Sequence, residues 1–223
     1  MSVHESGDVP LTLVIGNKNY SSWSLRPWVL LHHYGIDFLE RRIALDTADF
    51  AAEALRWSPV ARVPVLVHGP LVVWDSLAIV EYLNEQALEG RGWPADVAQR
   101  ARARSLVAEM HAGFAAMRSE LPMNVRRLPC PVSMSANCVR DLGRVRSVWN
   151  GQLERYGGPW LFGADYGIAD AFYAPVAFRL HSYAVAVEGH AASYLATQLA
   201  HAPMRMWATD ANAEVEVIES DER

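Results

Sequence analysis

Two apolar runs, Val63-Pro64-Val65-Leu66-Val67 and Leu71-Val72-Val73-Trp74, flank His68-Gly69-Pro70. β-Branched residues on either side of a Gly-Pro turn predict a β-hairpin. An isolated hairpin is marginal in water, so neighbouring segments must cover it. Upstream, Leu11 to Ile15 reads as a buried strand, and Gly16 to Asn19 is turn chemistry. A helix starting at about Ser22 to Ser24 runs to Tyr34, with Pro27 expected in its first turn and Gly35 as its stop. Asp37 to Ala44 reads as a second strand and Thr47 to Trp57 as a short helix. After the hairpin, Leu77 to Gln86 carries apolar residues at helical spacing behind Asp75-Ser76. The predicted order is β-α-β-α-β-β-α. A helix between strands one and two implies a parallel pair, and the hairpin adds an antiparallel one.

The pattern changes after Leu88 to Pro94, which contains Gly90, Gly92 and Pro94 and reads as a linker. Helical spacing then dominates: Ala95 to Leu121, Ser135 to Arg155, Ile168 to His181, and one or two helices within Glu188 to Trp207. The expected division is a mixed α/β domain over 9–88 and an all-helical domain over 95–208. The acidic end, Glu214 to Arg223, is expected to fray.

Net charge is −5, which favours neither nucleic acid nor an anionic membrane. The arginines at 100, 102 and 104 have acidic neighbours and read as a solvated helix face. Lys18 is the only lysine, read as a compositional bias. Two cysteines, Cys130 and Cys138, do not make a disulfide scaffold, and a reducing cytoplasm is expected. Met1 to Pro10 lacks a basic leader region, and no apolar run approaches the length of a bilayer span. His32 and His33 are adjacent, so a helix turns them apart, and no metal is expected.

Four segments resemble glutathione transferases. Ser21-Ser22-Trp23-Ser24-Leu25-Arg26 is similar to the zeta-class Ser-Ser-Cys-Ser-Trp-Arg motif, and more loosely to the theta and delta Ser-x-x-x-Arg start. Ser58-Pro59-Val60-Ala61-Arg62-Val63-Pro64-Val65-Leu66 resembles the family's Asn-Pro-x-x-x-Val-Pro-x-Leu segment, whose second proline is cis. Asp75-Ser76-Leu77-Ala78-Ile79-Val80-Glu81-Tyr82-Leu83 resembles its (Glu/Gln/Asp)-Ser-x-Ala-Ile-x-x-Tyr-Leu segment. Trp160-Leu161-Phe162-Gly163 with Ile168-Ala169-Asp170-Ala171 resembles the capping segment of the C-terminal domain, with Gly167 where Ser or Thr is usual. The resemblance spans about residues 11 to 205 and implies a thioredoxin-like N-terminal domain followed by an all-α domain. It also implies glutathione as co-substrate, no metal, a small electrophilic second substrate and a homodimer.

A glutathione site must pair the tripeptide backbone, hold the γ-glutamyl end and lower the thiol pKa. The resemblance gives the first task to Val63 and Pro64, whose backbone at a sheet edge can pair with the cysteinyl unit. Asp75 and Ser76 begin a helix, where anions are favoured: Ser76 suits the γ-glutamyl carboxylate and Asp75 its ammonium. Plain N-capping is the alternative role of that pair. Ser22, four residues before Arg26, is the first candidate for thiol activation, and Ser21 is the runner-up. A free thiol titrates near about 8.5, and lowering it by two units requires about 2.7 kcal/mol. One charge-assisted hydrogen bond plus a helix dipole supplies about that much. Arg62 is a candidate for the glycyl carboxylate or a solvated arginine. Trp23 stands where the zeta class has Cys, which counts against maleylacetoacetate isomerase activity; it walls the second-substrate pocket or packs on the first helix. Tyr20 ranks below both serines as a hydroxyl donor. The cysteines lie outside the first domain, which argues against the cysteine-type members. Conjugation is the default reaction; a zeta-like cis–trans isomerase and a non-catalytic binding module are the alternatives.

Overall fold

The computed structural model describes residues 10–222, so the reading of Met1 to Val9 as leaderless lies outside the described residues. The first part is β1 (Leu11–Ile15), α1 (Ser22–Tyr34), β2 (Phe38–Arg42), α2 (Phe50–Leu55), β3 (Val65–His68), β4 (Leu71–Val73) and α3 (Ser76–Gln86). The sheet order is β2-β1-β3-β4. β1 runs parallel to β2 and antiparallel to β3, with Leu13 opposite both Glu40 and Leu66, and β3–β4 is the expected hairpin.

Alternation along β1 sends its side chains to two cores. Val14 joins Ile43, Ala54 and Val65 beneath α2. Leu13 and Ile15 join α1 and α3 on the opposite face. That second core continues without a break into the helical part. It consists of α4 (Val97–Ala112), α5 (Ala115–Glu120), α6 (Ala136–Tyr156), α7 (Ile168–Ser182), α8 (His190–Ala200) and α9 (Ala202–Ala213). α1 is wedged between the sheet and α7, with Leu25 and Val29 to Leu31 fully buried. The thioredoxin-like domain plus all-helical domain is therefore the architecture.

Three expectations are corrected. Ala95 to Leu121 is two helices, because Gly113 is extended and Phe114 takes a left-handed conformation at φ 61°. Arg118 closes the break by donating Nε to the Gly113 carbonyl (3.0 Å) and Nη2 to that of Met110. Pro27 lies in the second turn of α1, not the first, so the Trp23 carbonyl lacks an i+4 donor. The acidic tail is not frayed through its described residues. Ile218 is buried, and Glu214, Glu216 and Glu222 are all hydrogen-bonded to the body. Gly167 caps α7 as expected: its N–H donates to Asp170 Oδ2 at 3.0 Å. Among the described residues no helix is long and apolar enough to cross a membrane.

Candidate glutathione site

The N-termini of α1 and α3 open on one cleft of about 640 Å³. Its walls bring together Ser21, Ser22, Trp23, Arg62, Val63, Pro64, Asp75 and Ser76, which are all the site residues expected from the sequence. Tyr20, Leu45, Phe50, Val60 and Trp74 complete it.

The two serines differ in what their hydroxyls do. Ser21 precedes α1 but makes no side-chain cap; its Oγ lies 2.7 Å from Ser24 Oγ, which also accepts the Gly16 N–H at 3.1 Å. Ser22 is the first residue of α1, and among the described residues nothing bonds its hydroxyl. Its side chain is therefore free to serve a ligand. Tyr20 is not: its hydroxyl donates to Glu222 Oε1 (2.5 Å) and accepts from Arg126 Nη2 (3.0 Å) and the Ile218 N–H (3.3 Å).

Asp75 caps α3 through Oδ1, which accepts the Leu77 N–H at 3.0 Å. Its other oxygen, Oδ2, is 3.0 Å from His111 Nε2, reached from α4. Capping uses Oδ1 alone, and Oδ2 is engaged by His111, so a ligand group at Asp75 would share Oδ2 with that histidine. Ser76 is fully buried, and Arg26 Nη1 donates to its Oγ at 3.4 Å. Val63 precedes β3, whose ladder begins at Val65, so its backbone lies at the cleft beyond the sheet pairing. The Val63–Pro64 bond is cis. Arg62 is exposed at the rim.

Trp23 faces the helical domain. Arg26 lies over its ring at 4.0 Å and Arg118 at 4.9 Å, and the His111 ring meets it edge-on at 5.2 Å. Burial, and then the like charges of Arg118 and Arg179, push the Arg26 pKa well below its usual value. His111 and Arg118 carry no local motif, and only tertiary packing brings them here. Cys138 is buried in α6, where burial raises its thiol to about 11. Among the described residues no group of three His, Cys, Asp or Glu side chains could hold a metal ion.

The family model for "Glutathione S-transferase, N-terminal domain" matches residues 20–86, and that for the C-terminal domain matches 85–208. The chain belongs to the glutathione S-transferase family. It is 29% identical over 158 residues to glutathione S-transferase 1 of Dianthus caryophyllus, covering 70% of this chain and 71% of that protein. A zeta-class glutathione S-transferase of Euphorbia esula is 37% identical over 82 residues, 36% of each chain. Among solved structures, a Burkholderia BGR1 glutathione transferase homologue with bound glutathione superposes at TM-score 0.69 with 24% identity, covering 92% of this chain and all of that one. A bacterial zeta-class maleyl pyruvate isomerase superposes at TM-score 0.69 with 20% identity, covering 90% and 97%. At these identities the structural likeness speaks for the transferase fold alone.

Proposed function

We propose that the cleft binds glutathione and holds its sulfur as a thiolate for attack on a small electrophile lying against the helical domain. The carrying observation is the convergence of two helix N-termini, the free Ser22 hydroxyl, the Val63 backbone and the Asp75–Ser76 pair on a single cleft. Helix N-termini favour anions. The Ser22 hydroxyl donates to the sulfur, and its availability ranks it above Ser21. Asp75 takes the γ-glutamyl ammonium and Ser76 the carboxylate. The backbone of Val63 pairs with the cysteinyl unit as an added strand would, and Arg62 at the rim takes the glycyl carboxylate. Trp23 forms a wall of the second-substrate pocket. The chain supplies proximity and a lowered thiol pKa, with no metal in the reaction. A cytoplasmic homodimer is part of the same reading, and its size is checked by gel filtration with light scattering.

A glutathione-dependent cis–trans isomerase is the second reading, favoured by the identity with the Euphorbia esula zeta-class protein. Trp23 in place of the zeta cysteine weighs against it.

The test is thiolate absorbance near 240 nm, with glutathione titrated against wild type, Ser22→Ala and Ser21→Ala. Wild type is expected to bind a thiolate at neutral pH, and Ser22→Ala to lose it by at least about tenfold, the equivalent of one pKa unit. Loss in Ser21→Ala alone transfers the role to that serine. Binding without a thiolate makes the protein a sequestering one. No binding at all leaves an interaction module on a borrowed fold.

A further inference from the structure

The loop leading into the two serines is tied down from outside the cleft by the far end of the chain. Glu214 follows α9, and its carboxylate accepts the backbone N–H of Lys18 at 2.7 Å through Oε1 and that of Asn19 at 3.0 Å through Oε2. The two partners in the shorter contact are 196 residues apart in sequence, and the Glu214 side chain is only 8% exposed. Arg126 clasps the same tail. Its Nη1 donates to the Glu214 carbonyl and its Nη2 to that of Glu216 at 2.7 Å, while Nη2 also reaches the Tyr20 hydroxyl. The Arg126 N–H donates to Asn19 Oδ1 at 2.8 Å. Tyr20 then ties forward to Ile218 and Glu222. Residues 18, 19 and 20 are thus each bonded to the tail, and Ser21 is next in the chain.

A carboxylate that accepts two successive backbone N–H groups fixes the orientation of both peptide planes, because such charge-assisted bonds are strong and directional. The charged and titratable groups around Glu214 are Arg126, Arg42 with its nearest nitrogen at 3.6 Å, and Glu216, which pairs with Arg42 at 2.7 Å. Lys18 sends its ammonium elsewhere, to Asp210 at 2.6 Å and Glu40 at 2.9 Å, so only its backbone serves Glu214.

We propose that residues 214–222 are a strap that sets the conformation of the serine-bearing loop, with Glu214 as the positioning residue and Arg126 as its clasp. The inference rests on the thiolate reading of the cleft. Glu214 touches no substrate; it acts through the Lys18 and Asn19 peptides on the direction in which the following hydroxyls point.

Two readouts test it on the full chain, for wild type, Glu214→Gln and Glu214→Ala. Hydrogen–deuterium exchange of the Lys18 and Asn19 amides reads the strap itself. The pH midpoint of the 240 nm thiolate signal reads its effect on the sulfur. In Glu214→Ala the amides are expected to exchange at least about tenfold faster. The midpoint is expected to move up by about one unit, a tenfold loss of thiolate below it. The dissociation constant of glutathione changes less, because Asp75 and Ser76 are untouched. Glu214→Gln keeps one acceptor oxygen and is expected to fall between the two; it carries the comparison if circular dichroism shows the alanine variant misfolded. Unchanged amide exchange overturns the proposal, as does faster exchange with an unmoved midpoint. Absence of a thiolate in wild type overturns the reading of the cleft, and the strap's catalytic role with it. A wild-type thiolate indifferent to Glu214 overturns the strap alone.

Discussion

His33 and His201 show what a residue's neighbours do that its sequence position does not reveal. Adjacent in sequence, His32 and His33 point to different neighbours: the His32 ring lies tilted against Trp28 at 3.9 Å, while His33 Nδ1 meets His201 Nε2 at 3.1 Å. His33 and His201 are both half-buried beside Tyr166, and His33 and Tyr166 line a second cleft of about 630 Å³ between α1 and the linker. Burial, and then His33, lower His201 to about 4; burial also lowers His33. An unfolded histidine titrates near about 6.5, so the unfolded chain takes up protons first as pH falls. Stability is therefore lost between about pH 6.5 and 4 on their account. Asp170 works in the opposite sense, since burial raises it to about 6 and the folded state binds its proton first. The decisive measurement is the difference between proteins: urea denaturation at pH 6.5 and 4.5 is expected to show a smaller loss in His201→Asn than in wild type. An equal loss would remove His201 from the account.

At the scale of elements, local sequence was a good guide wherever a local rule decided the outcome. The hairpin and the stop at Gly35 (φ 65°) both follow from nearby residues. The serines and the Asp75–Ser76 pair were singled out by the family resemblance, and the fold brings them to one cleft. The break at Gly113 and Phe114 was not legible, because a glycine inside a helix costs only about 1 kcal/mol and packing decides whether the helix continues. His111 and Glu214 were hidden for the same reason: each reaches the loops around the cleft from an element remote in sequence. One departure from a local rule gives a prediction. α7 ends in a Schellman arrangement, with the Ala184 N–H donating to His181 O (3.0 Å) and the Val185 N–H to Leu180 O (2.9 Å), yet the left-handed position at φ 48° holds an exposed alanine. Glycine adopts that conformation without steric cost. Ala184→Gly is expected to stabilise the protein by about 0.5–1 kcal/mol, read from the urea midpoint at unchanged slope.

On the scale of the whole molecule, the principal core runs without interruption from Leu13 in the sheet through α1 to Trp207 in α9. Two domains that share a core have little reason to unfold apart. Denaturation followed by tryptophan fluorescence and by far-UV circular dichroism is expected to give coincident transitions, and two separated transitions would show that each domain stands alone. The junction is also where the single lysine sits. Lys18 is 5% exposed, its ammonium held by Asp210 and Glu40 and lying over the rings of Trp28 (4.7 Å) and Trp207 (5.5 Å). What composition alone suggested was a mere bias leaves the folded surface almost without a side-chain amine. Acylating reagents have one lysine to find, and it is shut away where the two domains meet, so its modification is a chemical clock for the opening of the fold at that junction.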